Sequence, residues 1–485
     1  MSAAQDIVLG PFNRVEGDLE VRLEVRDGVV QAARVNSPLY RGFEQILLGR
    51  DPRDALVYAP RICGICSVSQ SMAAAYALAE AQRIDMPPNG QRATNLVLAN
   101  ENLADHFTHF YLFFMPDFAR DAYRAQPWYP RVAERFWAMT GSAAREAVPA
   151  RAQFLRLMGV LAGKWPHSLS LQPGGTARAL DPRDRVRVLA ILRAFRRFLE
   201  NRTFGDRLEA IAALDGAAAL RRWMAARDPW SSDFRVFLEL ADRLELARAG
   251  RLTPRLLSYG NYPVEGERLF RPGVWAGAPG PLDIDAVTED VSHAWLGGRT
   301  QPLPPAQGVT LPLAAKPEAY TWCKAPRLDG RVMETGALAR QGVAGHPLIR
   351  DLLDGGGSNV RSRVIARLLE LALVLPVMER WVREIRPGEP FCAHGTTPRH
   401  ATGVGLVEAA RGSLGHWLEI RQGRILNYQI VAPTTWNFSP RDRDGVPGAL
   451  EQALVGTVVP AGEATPVMVQ HVVRSFDPCM VCTVH

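Results

Sequence analysis

The chain has 485 residues, of which 47% are apolar and 22% are charged, and this composition allows a large buried core. The formal net charge of +7 is spread along the sequence without a long block of one sign and without a nucleic-acid-binding motif, so we expect no nucleic-acid partner. Six cysteines are too few for a disulfide scaffold, and the most apolar stretch, 368–378, is too short to cross a bilayer, so we expect no direct membrane insertion.

The cellular location is predicted from the start of the chain and from the cysteine content. The first residues show no basic stretch followed by an apolar run, which a signal peptide would require. We therefore expect a cytoplasmic protein with reduced thiols.

The predicted elements begin and end with β-hairpins. Apolar and polar residues alternate over 7–35 around an Asp27-Gly28 turn, which predicts the first hairpin. Apolar residues at three- and four-residue spacing then predict helices over 67–82, 92–114, 181–199, 204–226, 233–249 and 361–384. The Pro/Gly-rich stretch 271–312 predicts irregular connections or short strands. A second hairpin is predicted over 417–431, with its turn at Gln422-Gly423.

The domain organisation follows from the even composition of the chain. No linker, internal repeat or low-complexity tract divides it. We therefore predict a single domain over residues 1–485, of mainly α (α+β) class, with a large helical body and small peripheral β-sheets.

Four of the six cysteines form two Cys-x-x-Cys pairs, Cys63 with Cys66 and Cys479 with Cys482. Two such pairs that face each other form a four-thiolate cage, which suits zinc, iron–sulfur clusters, nickel or copper. A redox role would require a thioredoxin-like βαβ context, which neither pair has. The spacing does not choose the metal, and a non-enzymatic, zinc-stabilised helical protein stays open on this ground.

Five segments around and between the cysteines form an ordered set. They are Arg14-Val15-Glu16-Gly17, the stretch 61–66, the stretch 322–327 with 334–340, the stretch 408–417, and the stretch 477–485. In this order they resemble the motifs of the large subunit of [NiFe]-hydrogenases. The resemblance runs from residue 14 to the last residue, and it implies the large-subunit fold of that family and heterolytic cleavage of H2.

The resemblance implies a role for each of the four cysteines. All four thiolates would bind nickel, with Cys66 and Cys482 bridging to iron and Cys63 and Cys479 as terminal ligands. The iron would also carry CO and CN. Cleavage of H2 requires a base for the proton, and the family implies that Cys479 is the first base and that Glu16 is the next proton acceptor.

The resemblance also implies charged groups around the metals. Arg411 matches an arginine over the open side of the metals, where a fixed cation orients H2 and supports charge separation. Asp105 and Asp477 match carboxylates that hold this arginine in place. From the residues alone, without this resemblance, Glu16 would be interpreted as a solvated carboxylate and Arg411 as a salt-bridge partner in a loop.

A second metal site is expected beneath the first. Glu44, the backbone carbonyl of Val431 and His485 match the family's ligands for magnesium, which iron sometimes replaces. Oxygen donors with several waters suit magnesium. The alternative is that Glu44 pairs with a nearby arginine.

Two side chains near the expected metals are bulkier than is common in the family. Ile65 stands where valine is frequent and Phe113 where leucine is frequent, and these positions line the end of the gas channel in the family. Such bulk resembles the H2-sensing, or regulatory, branch, in which a narrow channel passes H2 and slows O2. The alternatives are the catalytic subunit of an energy-conserving uptake hydrogenase, and ordinary variation in a packed core.

The two remaining cysteines indicate whether this chain needs a partner that carries electrons. Cys323 and Cys392 are isolated, so we expect no iron–sulfur cluster in this chain. Electrons would therefore leave through a second chain, and the family implies an iron–sulfur small subunit. A sensor would in addition need a signalling partner such as a histidine kinase.

Overall fold

The computed structural model describes residues 5–298 and 301–485. The α-helices are α1 (Phe43–Leu47), α2 (Ala55–Tyr58), α3 (Ser67–Gln82), α4 (Pro88–Thr108), α5 (Tyr129–Phe136), α6 (Ser142–Ala162), α7 (Pro182–Phe198), α8 (Leu208–Ala212), α9 (Ala217–Ala225), α10 (Asp233–Arg243), α11 (Ala337–Ala344), α12 (Pro347–Gly356), α13 (Val360–Glu384), α14 (Pro433–Asn437), α15 (Ala449–Leu454), α16 (Val467–Ser475) and α17 (Met480–Thr483). The strands are β1 (Gln5–Leu9), β2 (Glu20–Arg26), β3 (Val29–Asn36), β4 (Leu171–Gln172), β5 (Gly175–Thr176), β6 (Leu256–Ser258), β7 (Asn261–Val264), β8 (Glu267–Phe270), β9 (Gly273–Trp275), β10 (Pro279–Gly280), β11 (Val287–Asp290), β12 (Leu296–Gly297), β13 (Leu311–Pro312), β14 (Ala325–Leu328), β15 (His400–Ala409), β16 (Gly412–Arg421) and β17 (Arg424–Val431).

Long helices form the centre of the molecule. Helix α4 packs against α6 and α13, and α7 packs against α6 and α13. Helix α4 is buried on almost every side, and α13 begins with a capping box between Asn359 and Ser362. One hydrophobic cluster runs through this body and includes residues from Leu9 to Cys482, so both ends of the chain contribute to the same core.

Small antiparallel sheets lie around this body. The first has the order β1-β2-β3 and the largest has the order β15-β16-β17. Strand β15 packs directly on α3, because Gly403 and Gly405 leave room for the helix: a Cβ on Gly405 would lie 1.8 Å from the Ala73 carbonyl oxygen. This contact brings the start of α3 and the β15–β16 turn to the same place.

The sequence predictions agree with the structure where the pattern is long. Helix α3 and helix α13 cover the predicted stretches 67–82 and 361–384, and the turns of the two predicted hairpins connect β2 to β3 and β16 to β17. The predicted stretch 92–114 is α4 followed by a π-helical turn, His109–Phe114. The fold is mainly α with small sheets, as predicted.

Two predicted helices are wrong in extent. The stretch 204–226 divides into α8 and α9 around Gly216, which takes an extended conformation, and the stretch 233–249 is helical only to Arg243. Helix α6 was not predicted, and it contains Pro149, a residue type that usually disfavours the interior of a helix. Within the irregular stretch 271–312, residues 299 and 300 lie outside the described residues, as do residues 1–4.

In the described part of the chain, no helix is both long enough and apolar enough to cross a bilayer.

Candidate metal centre

The four cysteines of the two Cys-x-x-Cys pairs meet in the interior. Cys66 lies immediately before α3, and Cys479 lies immediately before α17, which contains Cys482. Helix α17 and the N-terminal motif are joined by the backbone, since the Met480 N–H donates to the Glu16 carbonyl at 2.7 Å. The two ends of the sequence are therefore fixed against each other at the site.

The sulfur atoms lie close enough to share metal ions. Cys63 Sγ is 3.4 Å from Cys479 Sγ, and Cys482 Sγ is 3.0 Å from both Cys66 Sγ and Cys479 Sγ. All four ligand atoms lie within 4.8 Å of one another, and all four residues are buried. No disulfide is present among them. A buried group of four thiolates needs compensating positive charge, so this arrangement fits a soft or borderline metal centre.

The four thiols differ in their electrostatic environment. Burial and the neighbouring thiols raise the pKa of Cys63, Cys66 and Cys482. Burial also acts to raise the pKa of Cys479, but contacts with the other thiols and the charge of Arg411 lower it well below the ordinary value. The charge of Arg411 thus acts to stabilise a thiolate at Cys479.

Arg411 lies in the short turn between β15 and β16, and two buried carboxylates fix its guanidinium group. Its Nη1 donates to Asp105 Oδ2 at 2.5 Å, and its Nη2 donates to Asp105 Oδ1 and Asp477 Oδ1, both at 3.2 Å. Its Nε donates to the Asp477 carbonyl at 2.9 Å. Burial lowers and the two aspartates raise the pKa of Arg411, with a net result well above the usual value, so a permanent cation faces the sulfur cluster.

Glu16 lies beside Cys479 through a parallel backbone bridge. Its side chain is only partly buried, unlike the cysteines. Burial and the nearby Cys479 raise the pKa of Glu16, while Arg411 and Arg41 lower it. The carboxyl group therefore lies between the buried cluster and the protein surface.

Glu44 and His485 converge in a second buried polar cluster. The Glu44 Oε1 atom accepts hydrogen bonds from the Ile430 N–H at 2.9 Å and from Lys324 Nζ at 3.0 Å, and it lies 3.0 Å from His485 Nε2. Burial raises the pKa of Glu44, but Lys324 and His485 outweigh it and lower the pKa far below the usual value. Val431 is buried next to Ile430 on β17.

The partner of Glu44 differs from the alternative given above, because it is a lysine and not an arginine. Lys324 Nζ also bonds to Gln429 Oε1 at 2.8 Å and to Glu289 Oε2 at 3.3 Å. A divalent ion on Glu44 and His485 would compete with this ammonium group for the same carboxylate.

Ile65 and Phe113 are both half-buried. Ile65 packs against the main hydrophobic cluster, and Phe113 belongs to the π-helical turn that follows α4. The Phe113 carbonyl accepts a hydrogen bond from Arg14 Nη1 at 2.8 Å, which attaches this turn to the N-terminal motif.

Sequence reasoning missed several polar residues that hold the site. Arg41 donates to the carbonyls of Ile62 and Val481 and so joins the two cysteine motifs. Gln70, one helical turn after Cys66, donates from Nε2 to Cys482 Sγ at 3.9 Å. Their only sequence signal was proximity to the motifs, since such contacts depend on the tertiary structure.

Comparisons with known proteins agree on one family. A family model described as nickel-dependent hydrogenase matches residues 41–146 and 139–485. The periplasmic [NiFeSe] hydrogenase large subunit of Desulfomicrobium baculatum is 30% identical, with 99% of this chain and 94% of the relative covered. The uptake hydrogenase large subunit of Rhodobacter capsulatus is 28% identical, with 100% and 96% covered. The reduced Ni-Fe-Se hydrogenase structure from D. vulgaris Hildenborough superposes with a TM-score of 0.85 at 31% identity, with both chains covered completely.

Proposed function

This chain belongs to the family of nickel-dependent hydrogenases, and we propose that within the family it is the active-site subunit of an H2-sensing enzyme with low turnover. It is a hydrogenase large subunit, and its four clustered cysteines are the ligands of the Ni–Fe site. This membership sets aside the non-enzymatic zinc protein that the cysteine spacing left open.

The observation that carries the chemistry is a buried four-sulfur cluster with the fixed guanidinium group of Arg411 near enough to interact electrostatically with Cys479 and Cys66. When bound, the nickel–iron centre supplies the electron-pair acceptor for heterolytic cleavage of H2. Arg411 places its positive charge near the sulfurs, and its hydrogen bonds to Asp105 and Asp477 hold the guanidinium group in place. This fixed charge stabilises charge separation without a reorganisation cost during the reaction.

We propose that the proton is held first at Cys479 Sγ and then at the Glu16 carboxylate. Two features support this order: the positive charge of Arg411 acts to stabilise a thiolate at Cys479, and Glu16 is bonded to the same segment while partly exposed. The raised pKa of Glu16 suits a group that accepts a proton from the interior and then releases it.

The sensing role is proposed from Ile65 and Phe113. Ile65 lies between two metal ligands, and Phe113 is attached by its carbonyl to the motif that contains Glu16. Bulk at both positions favours slow O2 entry. The second candidate is an uptake hydrogenase, which the names of the relatives favour, since they include an uptake and a periplasmic enzyme.

Turnover of the purified complex separates these two roles. We expect a sensor to oxidise H2 slowly with an artificial acceptor and to keep this rate after exposure to air. High turnover that is lost in air would instead identify the uptake role. A sensor is proposed to lie in the cytoplasm and to signal through a histidine kinase, which co-purification from cells expressing both would test.

The composition of the metal centre is also proposed. We expect iron-bound CO and CN, which infrared spectroscopy detects directly, with bands that respond to H2. We expect one magnesium or iron ion bound by Glu44, His485 and the Val431 carbonyl, in competition with Lys324. Metal analysis of Glu44→Gln tests this second site, because loss of one magnesium with nickel retained is the expected result.

The electron-carrying partner is an iron–sulfur small subunit. In the described part of the chain, the candidate metal-binding group is the four-cysteine cluster, and Cys323 and Cys392 lie outside it. We propose that the partner covers the face formed by Arg14, Val15 and Glu16, which is only half-buried although it lies beside fully buried ligands.

A further inference from the structure

A row of three hydrogen-bonded, buried polar side chains leads to the sulfur of Cys482. Gln70 Nε2 lies 3.9 Å from Cys482 Sγ, and Gln70 Oε1 lies 2.8 Å from His416 Nε2. His416 Nδ1 in turn lies 2.8 Å from the Tyr428 hydroxyl. Gln70, His416 and Tyr428 come from α3, β16 and β17, and all three are at most 1% exposed.

The direction of these hydrogen bonds follows from the available donors and acceptors. In residues 5–298 and 301–485, the Tyr428 hydroxyl has His416 Nδ1 as its hydrogen-bond partner and no other. If Nδ1 carried the proton and donated it, the phenol proton would be buried without an acceptor, which is unfavourable. Tyr428 therefore donates, and Nδ1 accepts.

The protonation state of His416 agrees with this assignment. Burial lowers the pKa of His416 to about 3, so the imidazole is neutral and carries a single proton. With Nδ1 as an acceptor, that proton lies on Nε2 and is donated to Gln70 Oε1. The Gln70 amide then has its N–H group, and not its carbonyl oxygen, directed at Cys482.

We infer that Tyr428 and His416 are positioning residues that fix the Gln70 amide as a hydrogen-bond donor to the Cys482 sulfur. Without them, the amide could turn and place its oxygen against the sulfur. A hydrogen bond to a metal-bound sulfur withdraws electron density from it, which tunes the potential and the electron richness of the metals. This inference rests on the proposed nickel–iron centre.

The test is infrared spectroscopy of the purified complex with Tyr428→Phe, a change that removes one hydroxyl. Without the Tyr428 hydroxyl, the Gln70 amide is free to turn and its N–H group no longer donates to the Cys482 sulfur. The sulfur then supplies more electron density to the metals, so we expect the CO and CN bands to shift to lower wavenumber. The matched control is Tyr123→Phe, because the Tyr123 hydroxyl also contacts a buried histidine, His471 Nε2, at 3.0 Å, outside the cysteine cluster. We expect the control to leave the bands in place.

A double variant tests whether Tyr428 acts through the amide. In a Gln70→Met background, Tyr428→Phe should cause no further band shift, because the amide is already absent. Equal shifts in both backgrounds, or unchanged bands in Tyr428→Phe alone, would overturn the inference. Absence of CO and CN bands from the unaltered complex would instead overturn the proposed function.

A second measurement is independent of folding of the variants and of the metal bands. Nitrogen-15 NMR of the unaltered protein, labelled at histidine, reports which ring nitrogen of His416 carries the proton. We expect the neutral Nε2–H form. Observation of the Nδ1–H form would contradict the assigned direction of the hydrogen bonds from Tyr428 through His416 to Gln70.

Discussion

At the residue scale, Asp105 and Glu16, two of the carboxylates near the centre, differ in their partners. Asp105 is paired with the guanidinium group of Arg411 and is fully buried, whereas Glu16 is attached by its backbone and partly exposed. A paired, immobile carboxylate serves to hold a cation, while a free carboxyl group near the surface is suited to accept and release protons.

Replacement of Glu16 by glutamine is expected to keep the metals and to lower H2/D+ exchange by roughly 100-fold or more, because an amide does not accept the proton. The raised pKa of Glu16 adds a pH dependence: exchange in the unaltered enzyme should fall as the pH drops through this pKa, where the carboxylate becomes protonated. Isotope exchange followed by mass spectrometry measures both effects.

The control for Glu16 is Asp18→Asn, which removes an exposed carboxylate two positions away. Exchange near the normal rate in Glu16→Gln, with nickel content unchanged, would remove Glu16 from the proton route. A large loss in the Asp18 variant would show that the N-terminal motif responds to any change of charge.

At the scale of secondary structure, the contact between α3 and β15 determines where Cys66 and Arg411 lie. Helix α3 begins directly after Cys66, and the β15–β16 turn contains Arg411. Their close approach depends on Gly403 and Gly405, because a side chain at either position would meet the backbone of α3.

Gly405→Ala is expected to lower the free energy of unfolding by about 1–3 kcal/mol, since the new Cβ would overlap the Ala73 carbonyl. The displacement of α3 should also reduce the nickel content. Thermal unfolding and metal analysis measure these effects. Gly159→Ala in α6 is the control, because a Cβ there meets no atom within 4 Å, and it should be neutral or slightly stabilising.

A buried ion pair joins α11 to α13 near the β15–β16 turn that contains Arg411. Arg340 donates to both oxygens of Glu370, at 3.1 Å and 2.8 Å, and it also bonds to the Ala409 and Ala410 carbonyls beside Arg411. Burial raises the pKa of Glu370, but Arg340 and His106 outweigh it and lower the pKa from 4.5 to about 2.

Because the pKa of Glu370 is lower in the folded chain than in the unfolded chain, the free energy of unfolding decreases as the pH falls. The contribution of Glu370 to stability is complete above the unfolded value of 4.5 and is lost as the pH falls toward the folded value of about 2. Glu370→Gln should lower the free energy of unfolding at neutral pH by about 3 kcal/mol and should remove this part of the acid dependence.

Thermal unfolding at several pH values compares Glu370→Gln with the unaltered chain. The control is Glu419→Gln, whose partner Arg421 is exposed, so its effect at neutral pH should be below about 1 kcal/mol. If the unaltered chain and Glu370→Gln lost the same stability between pH 4.5 and about 2, this acid dependence would not come from Glu370.

At the scale of the whole molecule, access of gas to the centre separates the two proposed roles. We propose that Ile65 and Phe113 line the end of a gas channel, and replacing them together by valine and leucine should widen it. H2 oxidation by the double variant should then be inhibited faster by O2, while turnover in the absence of O2 is retained. Activity assays at defined O2 concentrations measure this difference.

The control for the channel variant makes the same chemical changes in the core, with Ile349→Val and Phe237→Leu, both at fully buried positions. If both double variants gain the same sensitivity to O2, general loosening of the core is the cause. Unchanged tolerance in the channel variant would contradict the narrow-channel argument and favour the uptake role.

The long helices and the hairpins could be predicted from the sequence because their signals are local. Helix α3 and helix α13 have strong helical composition, and Gly at the hairpin turns permits the positive φ of Gly28 and Gly423. The break between α8 and α9 has a local signal in Asp215-Gly216 that the helical periodicity obscured, whereas the early end of α10 could not be predicted, because packing decides where a helix of moderate propensity stops.

The sequence by itself determined the family, the mainly α class and the four cysteine ligands, since ordered motifs and Cys-x-x-Cys spacing are properties of the chain. Only the tertiary structure decided which side chains surround the sulfurs: the lysine beside Glu44, Arg41 across the two cysteine motifs, and Gln70 with His416 and Tyr428 behind Cys482. These contacts join residues that are far apart along the chain, and their orientation depends on burial and on the pairing of every donor with an acceptor.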